Sequence, residues 1–330
     1  MANNQESEVV SDVEKTDSAI TDTTPSEVSE TTNTQTQTTP KITADDGFKG
    51  IPEDEILSGG PGKDGIPSID EPKFISVEKA TFLDDDDFGM GIVHGDVARF
   101  YPFQILVWHE IVNDVLPVNG SVEELSVAVT YCPLCRTGVT YERRVDDEVV
   151  EFGVSGKLWK SNLLMYNRTN NEDNESLWSQ VLGRAVTGVH TGKRLTIVPS
   201  DTVKFGDWKK QYPETQVLSK DTGAIRIYGR DPYGDYYTNR DVSFGATFSD
   251  ARLHPKEYVL GVEHEGNFKA YVADSLPVGV TTDTFAGETI TITKSEIGEV
   301  RMNIGDTPFS YIGGFWFSWL AVHPETELML

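Results

Sequence analysis

The chain is 330 residues long with 38% hydrophobic and 10% aromatic residues, enough for one large or two medium globular cores. Its formal net charge of −25 sets up a surface that repels phosphate backbones and anionic membranes, which argues against nucleic-acid binding. No apolar run reaches the roughly eighteen residues of a transmembrane helix, and the N-terminus lacks the basic and apolar regions of a secretory signal, as a mature chain would too.

Residues 1–46 are rich in Ser, Thr, Glu, Asp and Gln and carry no aromatic residue. Such a stretch buries too little apolar surface to offset its ordering entropy, so it is expected to be a disordered acidic tail or stalk. The folded part is expected to begin near Gly47. From there short strands dominate. Pro72–Leu83 mixes β-branched and aromatic residues and runs into Asp84–Asp87, read as a solvated loop. Gly91–Tyr101 has the pattern of a hairpin turning at His94-Gly-Asp96. In Phe103–Leu116, Ile105, Leu106, Ile111, Val112 and Val115 have helix-compatible spacing. Strands are then expected over Leu125–Tyr131, Gly138–Val145, Val149–Val154, Leu163–Tyr166 and Arg194–Val198, with a short helix at Lys204–Tyr212 stopped by Pro213.

Two segments recur. Gly261–Tyr271 echoes the Gly91–Tyr101 hairpin, and Trp319-Leu-Ala-Val-His-Pro-Glu-Thr326 echoes Trp208-Lys-Lys-Gln-Tyr-Pro-Glu-Thr215, in the same order. The expected fold is therefore mainly β (β-rich α+β) with few short helices. It comprises two related repeat units, 47–250 and 251–330, packed as one body. The second unit contains no cysteine and no sequence counterpart of Trp108–Asp114.

The two cysteines of the chain lie three positions apart, in Tyr131-Cys-Pro-Leu-Cys-Arg136. A four-cysteine zinc site within one chain is thus excluded. Four readings of the pair stay open: a redox dithiol, a soft-metal site completed by other side chains, a small structural disulfide, or two buried small hydrophobes. The flanking strands leave no helix N-terminus at the pair to lower a thiol pKa in the thioredoxin manner.

Among the histidines, His94 and His264 fall at equivalent hairpin turns, where a polar residue is expected on conformational grounds. His323 matches Tyr212 and is expected to pack or cap; His190 reads as a turn residue, and His254 lies at the junction between units. His109 stands apart. On a helix it would share a face with Asn113, beside Glu110 and Asp114, which makes it the candidate third group at Cys132 and Cys135. Asn113 sits where a zincin would need a second histidine, so zinc-protease chemistry is not supported.

Downstream, Ser155, Asn162, Tyr166, Arg168 and Trp178 set polar groups among aromatic ones and form a candidate ligand pocket, with Ser161 beside them. Gly153-Val-Ser-Gly156 is one residue short of a nucleophile elbow, Asp221-Thr-Gly223 is unrepeated, and Gly59–Gly65 lacks the Walker order.

Taken together, Gly59–Pro67, Trp108–Asp114, Val127–Cys135, Phe152–Gly156, Asn162–Arg168, Leu177–Gln180 and Leu253–Glu257 resemble the domain-of-unknown-function 3179 family. The resemblance spans about residue 55 to the C-terminus, brings no activity with it, and implies an extracytoplasmic or cell-surface location, with a cytoplasmic one as the alternative. Arg136 departs from the small residue that usually follows the family's Cys-Pro-x-Cys, and its charge would act on the pair. The expected function is metal- or redox-active, oxidoreductase-like or metal handling, centred on Cys132 and Cys135 with His109. Copper is favoured over zinc as the bound ion. The alternative is a non-enzymatic module binding a small molecule, with structural cysteines.

Overall fold

The computed structural model describes residues 47–117 and 124–330; the expected tail, 1–46, lies outside them. Among the described residues strands dominate, with three α-helices of four to seven residues, and no helix is long and apolar enough to cross a membrane.

The first recurring segment forms a hairpin of strands Phe88–His94 and Val97–Pro102, in register from Gly89 opposite Pro102 to His94 opposite Val97. Strand Asp201–Lys204 pairs with its first arm, and helix Phe205–Gln211 then leads to strand Gln216–Leu218, which runs parallel to the second arm. Gly91 is required here. A Cβ at this position would lie 2.4 Å from the Trp208 ring, so only a bare backbone lets the buried indole lie against the hairpin. The Trp208 indole donates to Thr215 Oγ1 at 2.8 Å, closing the loop after the helix.

Tyr258–His264, Asn267–Val272, Ile312–Phe315, helix Trp316–Val322 and Glu327–Met329 reproduce this order and pairing. Gly261 faces Trp319 as Gly91 faces Trp208, with 2.3 Å to an added Cβ, and Trp319 donates to Thr326 Oγ1 at 3.0 Å. The ring of His323 lies tilted against Trp319 with centroids 4.2 Å apart, as Tyr212 does against Trp208 at 4.3 Å. In both modules a cation two residues before a tyrosine pairs with an aspartate from the next long strand. Arg99 and Tyr101 meet Asp114 at 2.5 Å each, and Lys269 and Tyr271 meet Asp283 at 2.5 and 3.1 Å. Asp114 thus has a spatial counterpart that the sequence pattern did not reveal.

The modules differ in what lies between hairpin and Trp helix. In the second it is a four-stranded meander, residues 279–309. In the first it is a larger insertion that includes strands Ile111–Pro117, Glu124–Cys132 and Thr137–Glu142 and the hairpin Phe152–Trp159/Asn162–Asn167. Strand Thr137–Glu142 meets Ile312–Phe315 at Gly138 and Gly313, so one eight-stranded sheet runs through both parts of the chain.

The helix expected over Phe103–Leu116 is corrected. Only Phe103–Leu106 is helical; a turn follows, and Ile111–Pro117 is a strand paired with Glu124–Cys132 from Ile111 opposite Thr130 to Pro117 opposite Glu124. The β-branched Ile111, Val112 and Val115 suit a pleated strand with a long partner, which prevails over an ambiguous apolar spacing. The Asp84–Asp87 loop is ion-paired to the first Trp helix region through Asp86–Lys204 and Asp85–Lys209.

Candidate functional site

Strand Glu124–Cys132 ends in a β-turn, where the Cys135 amide donates to the Cys132 carbonyl at 3.2 Å, and the chain returns as strand Thr137–Glu142. A four-residue turn holds its end Cα atoms within about 7 Å, the span a disulfide bridges. Both cysteines are free thiols and are 1% and 0% exposed. They converge on one acceptor, the Ser161 carbonyl, at 3.8 Å from Cys132 Sγ and 3.1 Å from Cys135 Sγ.

That carbonyl belongs to a two-residue hairpin turn, Lys160-Ser161, with both residues at positive φ, 48° and 67°. Such turns normally take Asn-Gly, so Lys-Ser is a strained choice. Glu110 (60°), Arg136 (48°) and Phe244 (54°), whose carbonyl accepts from Ser161 N at 2.8 Å, are also left-handed. Non-glycine residues held there cost about 1–3 kcal/mol each, and such strain gathers at functional sites. The Arg136 guanidinium sits over the Phe88 ring, 5.2 Å from its centroid.

Residues 219–257 join the two modules as a strap with no strand and a single helical turn, Gly234–Tyr237. Connections this long without regular structure are usually functional in a compact domain. Tyr233, Tyr236, Tyr237, Val242, Ala246 and Phe248 of the strap pack on the core that contains Cys132, Leu134 and Cys135. Lys256, near its end, ties the strap to itself, donating to Asn239 Oδ1 at 2.7 Å and to the Tyr236 carbonyl, with its ammonium 3.5 Å over the Tyr236 ring. From the other side, Phe315 N donates to the Cys135 carbonyl at 2.8 Å, and the helix after it carries Ser318 to the thiols.

The protonation of the site follows from this enclosure. Burial, then the neighbouring Cys135, pushes the Cys132 thiol well up. Burial pushes Cys135 up as well, but polar attraction from the Cys132 thiol, the Ser318 hydroxyl and the Asn162 amide outweighs it and brings this thiol below its usual range. The Ser161 carbonyl, as acceptor of the thiol proton, works in the opposite direction. Cys135 is therefore the more acidic member of an unequal pair. Beside Cys132, burial and then the sulfur hold the Glu110 carboxyl well above the carboxylate range.

Among the expected site residues, the structure brings Cys132, Cys135 and Asn162 together. His109 lies in the turn before Ile111, with both ring nitrogens engaged: Nδ1 donates to the Pro67 carbonyl at 2.7 Å and Nε2 accepts from the Tyr228 hydroxyl at 2.6 Å. Neither nitrogen then offers a lone pair to a metal without displacing Tyr228. Among the described residues, the one group of His, Cys, Asp or Glu whose ligand atoms all lie within 4.8 Å is His264, Glu265 and Glu288; Cys132, Cys135 and His109 do not form such a group.

The expected pocket residues are largely occupied with one another. Ser155 donates to the Leu164 carbonyl at 2.5 Å, and Asn162 bonds Gln180 and Val181 N at 2.8 and 3.0 Å. The Trp178 indole donates to Asn167 Oδ1 at 2.9 Å. Tyr166 donates to Asp64 at 2.5 Å, and Arg168 bonds Asp64, Asp70 and Ser68, tying the Gly59–Asp70 arm to the sheet. Glu110, Ser318 and the strap tyrosines are the site neighbours absent from the expected set. Tyr233-Gly-Asp-Tyr-Tyr237 was the available signal, an aromatic cluster in a stretch without strand pattern.

No curated protein and no solved structure matches the chain. The model of one family, "Protein of unknown function (DUF3179)", matches residues 63–308, most of the sequence including the Cys132–Cys135 turn and the strap, and the chain therefore belongs to the DUF3179 family.

Proposed function

We propose that Cys132 and Cys135 form a redox-active dithiol that cycles with an intramolecular disulfide beneath the tyrosine strap. The observation that carries this reading is the convergence of two free, buried thiols on the Ser161 carbonyl, within one turn. A dithiol centre needs one thiol that ionises more readily and a second to close the bond. Oxidation joins the two sulfurs and releases two protons and two electrons, the electrons passing to a disulfide or a peroxide. The structural readings fit less well, because two merely space-filling cysteines would not call for strained polar backbone around them.

The test is peptide mapping of the full chain after exposure to oxidised dithiothreitol. A Cys132–Cys135 disulfide that reforms free thiols on reduction supports the proposal. A chain that stays reduced, with both thiols alkylated only after unfolding, contradicts it.

A second reading, Cu(I) held by the two thiolates, is supported by one observation: among the described residues, Cys132 and Cys135 belong to no group of three or more His, Cys, Asp or Glu with ligand atoms within 4.8 Å of one another. Two-coordinate thiolate suits Cu(I) and not tetrahedral Zn(II). Binding would exchange two thiol protons for one Cu(I). One equivalent of Cu(I) retained against a chelator, and lost in Cys132→Ser, supports this reading; no retention removes it. A ligand-binding module with structural cysteines is what remains if both chemistries are absent.

A further inference from the structure

The backbone of Ser161 is held from two sides. Its carbonyl accepts from Cys135 Sγ at 3.1 Å and from Cys132 Sγ at 3.8 Å, and among the described residues these two thiols are its hydrogen-bond donors. Its amide donates to the Phe244 carbonyl of the strap at 2.8 Å. Ser161 is 0% exposed, so bulk water does not replace a lost partner. The bond to Phe244 ties the strap to the body. Over residues 223–249 the other main-chain hydrogen bonds of the strap close turns within it, at Ile227–Arg230, Tyr233–Tyr236 and Asp235–Asn239. Around Phe244 the strap is one layer thick. Val242, Ala246 and Phe248 pack inward on the core that holds the thiols, while Ser243, Phe244, Gly245 and Thr247 are exposed.

Lys160 and Ser161 both lie at positive φ, which residues other than glycine keep only where their surroundings hold them. Oxidation removes one of the two holds. A disulfide carries no S–H, so the Ser161 carbonyl loses both donors, and a buried acceptor left without a donor is costly. We infer that Ser161 is a redox-sensitive latch for the strap. The reduced pair fixes its carbonyl, and its amide then fixes Phe244; the disulfide lets the strained turn relax and loosens residues 240–248. This rests on the dithiol reading above and names how the oxidation state of that site is passed to the surface. With oxidised dithiothreitol as acceptor, the two protons and two electrons that leave the sulfurs make reduced dithiothreitol, and the same exchange in reverse restores the thiols and the latch. By linkage, a partner that binds the loosened strap favours the disulfide.

The test is hydrogen–deuterium exchange of the full chain, read by mass spectrometry on fragments that contain Ser161 or residues 240–248, before and after treatment with oxidised dithiothreitol. Two double variants are measured beside it. Cys132→Ser/Cys135→Ser keeps hydroxyl donors for the carbonyl, and Cys132→Ala/Cys135→Ala removes the donors without forming a disulfide. The oxidised wild type and the alanine variant are expected to exchange about 5-fold faster or more in both fragments than the reduced wild type and the serine variant. The hairpin of strands Tyr258–His264 and Asn267–Val272 should exchange alike in all four, as the control for general destabilisation. A disulfide that forms with no change in either fragment would overturn the latch and leave the dithiol reading standing. Serine and alanine variants that exchange alike would overturn it too. If no disulfide forms in the wild type, the dithiol reading itself has failed, and redox control of the strap with it.

Discussion

The two hairpin modules share their scaffold down to single bonds, and they part company in the insertions. Gly91 and Gly261 each admit a tryptophan, Trp208 and Trp319 each donate to a threonine seven residues on, and Asp114 and Asp283 each close on a cation and a tyrosine. The second module inserts a four-stranded meander; the first inserts the strands that carry both thiols. Yet the second module is not inert toward the site, because its strand Ile312–Phe315 abuts the Cys135 turn and its helix supplies Ser318. The proposed dithiol therefore sits at the seam where the insertion of one module meets the Trp helix of the other.

The sharpest way to separate scaffold from chemistry is Cys132→Ser or Cys135→Ser, each expected to abolish reversible oxidation while leaving the denaturation midpoint near that of the reduced wild type. Alkylation after oxidant treatment reads the first effect and urea unfolding the second.

Next comes the buried ion pair. Asp114→Asn strands Arg99 in a site where both partners are nearly buried, and removal of one such partner costs about 3–5 kcal/mol. Asp283→Asn, at the more exposed counterpart, should cost visibly less in the same urea titration. Equal losses would mean that the two closures do not differ as their burial implies.

Gly91→Ala and Gly261→Ala each drive a methyl group into an indole and should cost about 1–3 kcal/mol by overpacking, nearly equally. A large loss in only one would break the equivalence of the modules.

The smallest effect concerns pH. Burial, then Arg194 and Lys160, lowers the His323 pKa to about 3. The unfolded chain binds this proton first, so His323 removes stability as pH falls below about 6.5, and the loss deepens towards the folded value. His323→Tyr, which copies Tyr212 of the first module, should flatten the melting temperature between pH 6 and 4 relative to wild type. An unchanged slope would contradict the assigned burial.

The hairpins and Trp helices were legible in the sequence because glycine, turn residues and alternation coincide there. The Phe103–Leu116 segment misled because Ile111, Val112 and Val115 fit both periods, and only pairing with Glu124–Cys132 decides between them. At the site, the thiols and Asn162 could be named in advance because they lie within one stretch of chain. Ser318 and the strap tyrosines could not, since they reach Cys135 only after the last helix and residues 219–257 fold over it. His109 drew attention as an isolated imidazole near acids; nothing local showed that Pro67 and Tyr228 would take both of its nitrogens.

The most direct test of the central claim is the midpoint potential of the Cys132–Cys135 pair, measured by equilibrating the full chain in dithiothreitol buffers and counting alkylated thiols. A functional dithiol predicts a reversible two-electron transition between about −300 and −120 mV, absent from Cys132→Ser. Thiols that stay reduced throughout, or a disulfide that forms and then resists reduction as a structural one does, would contradict it.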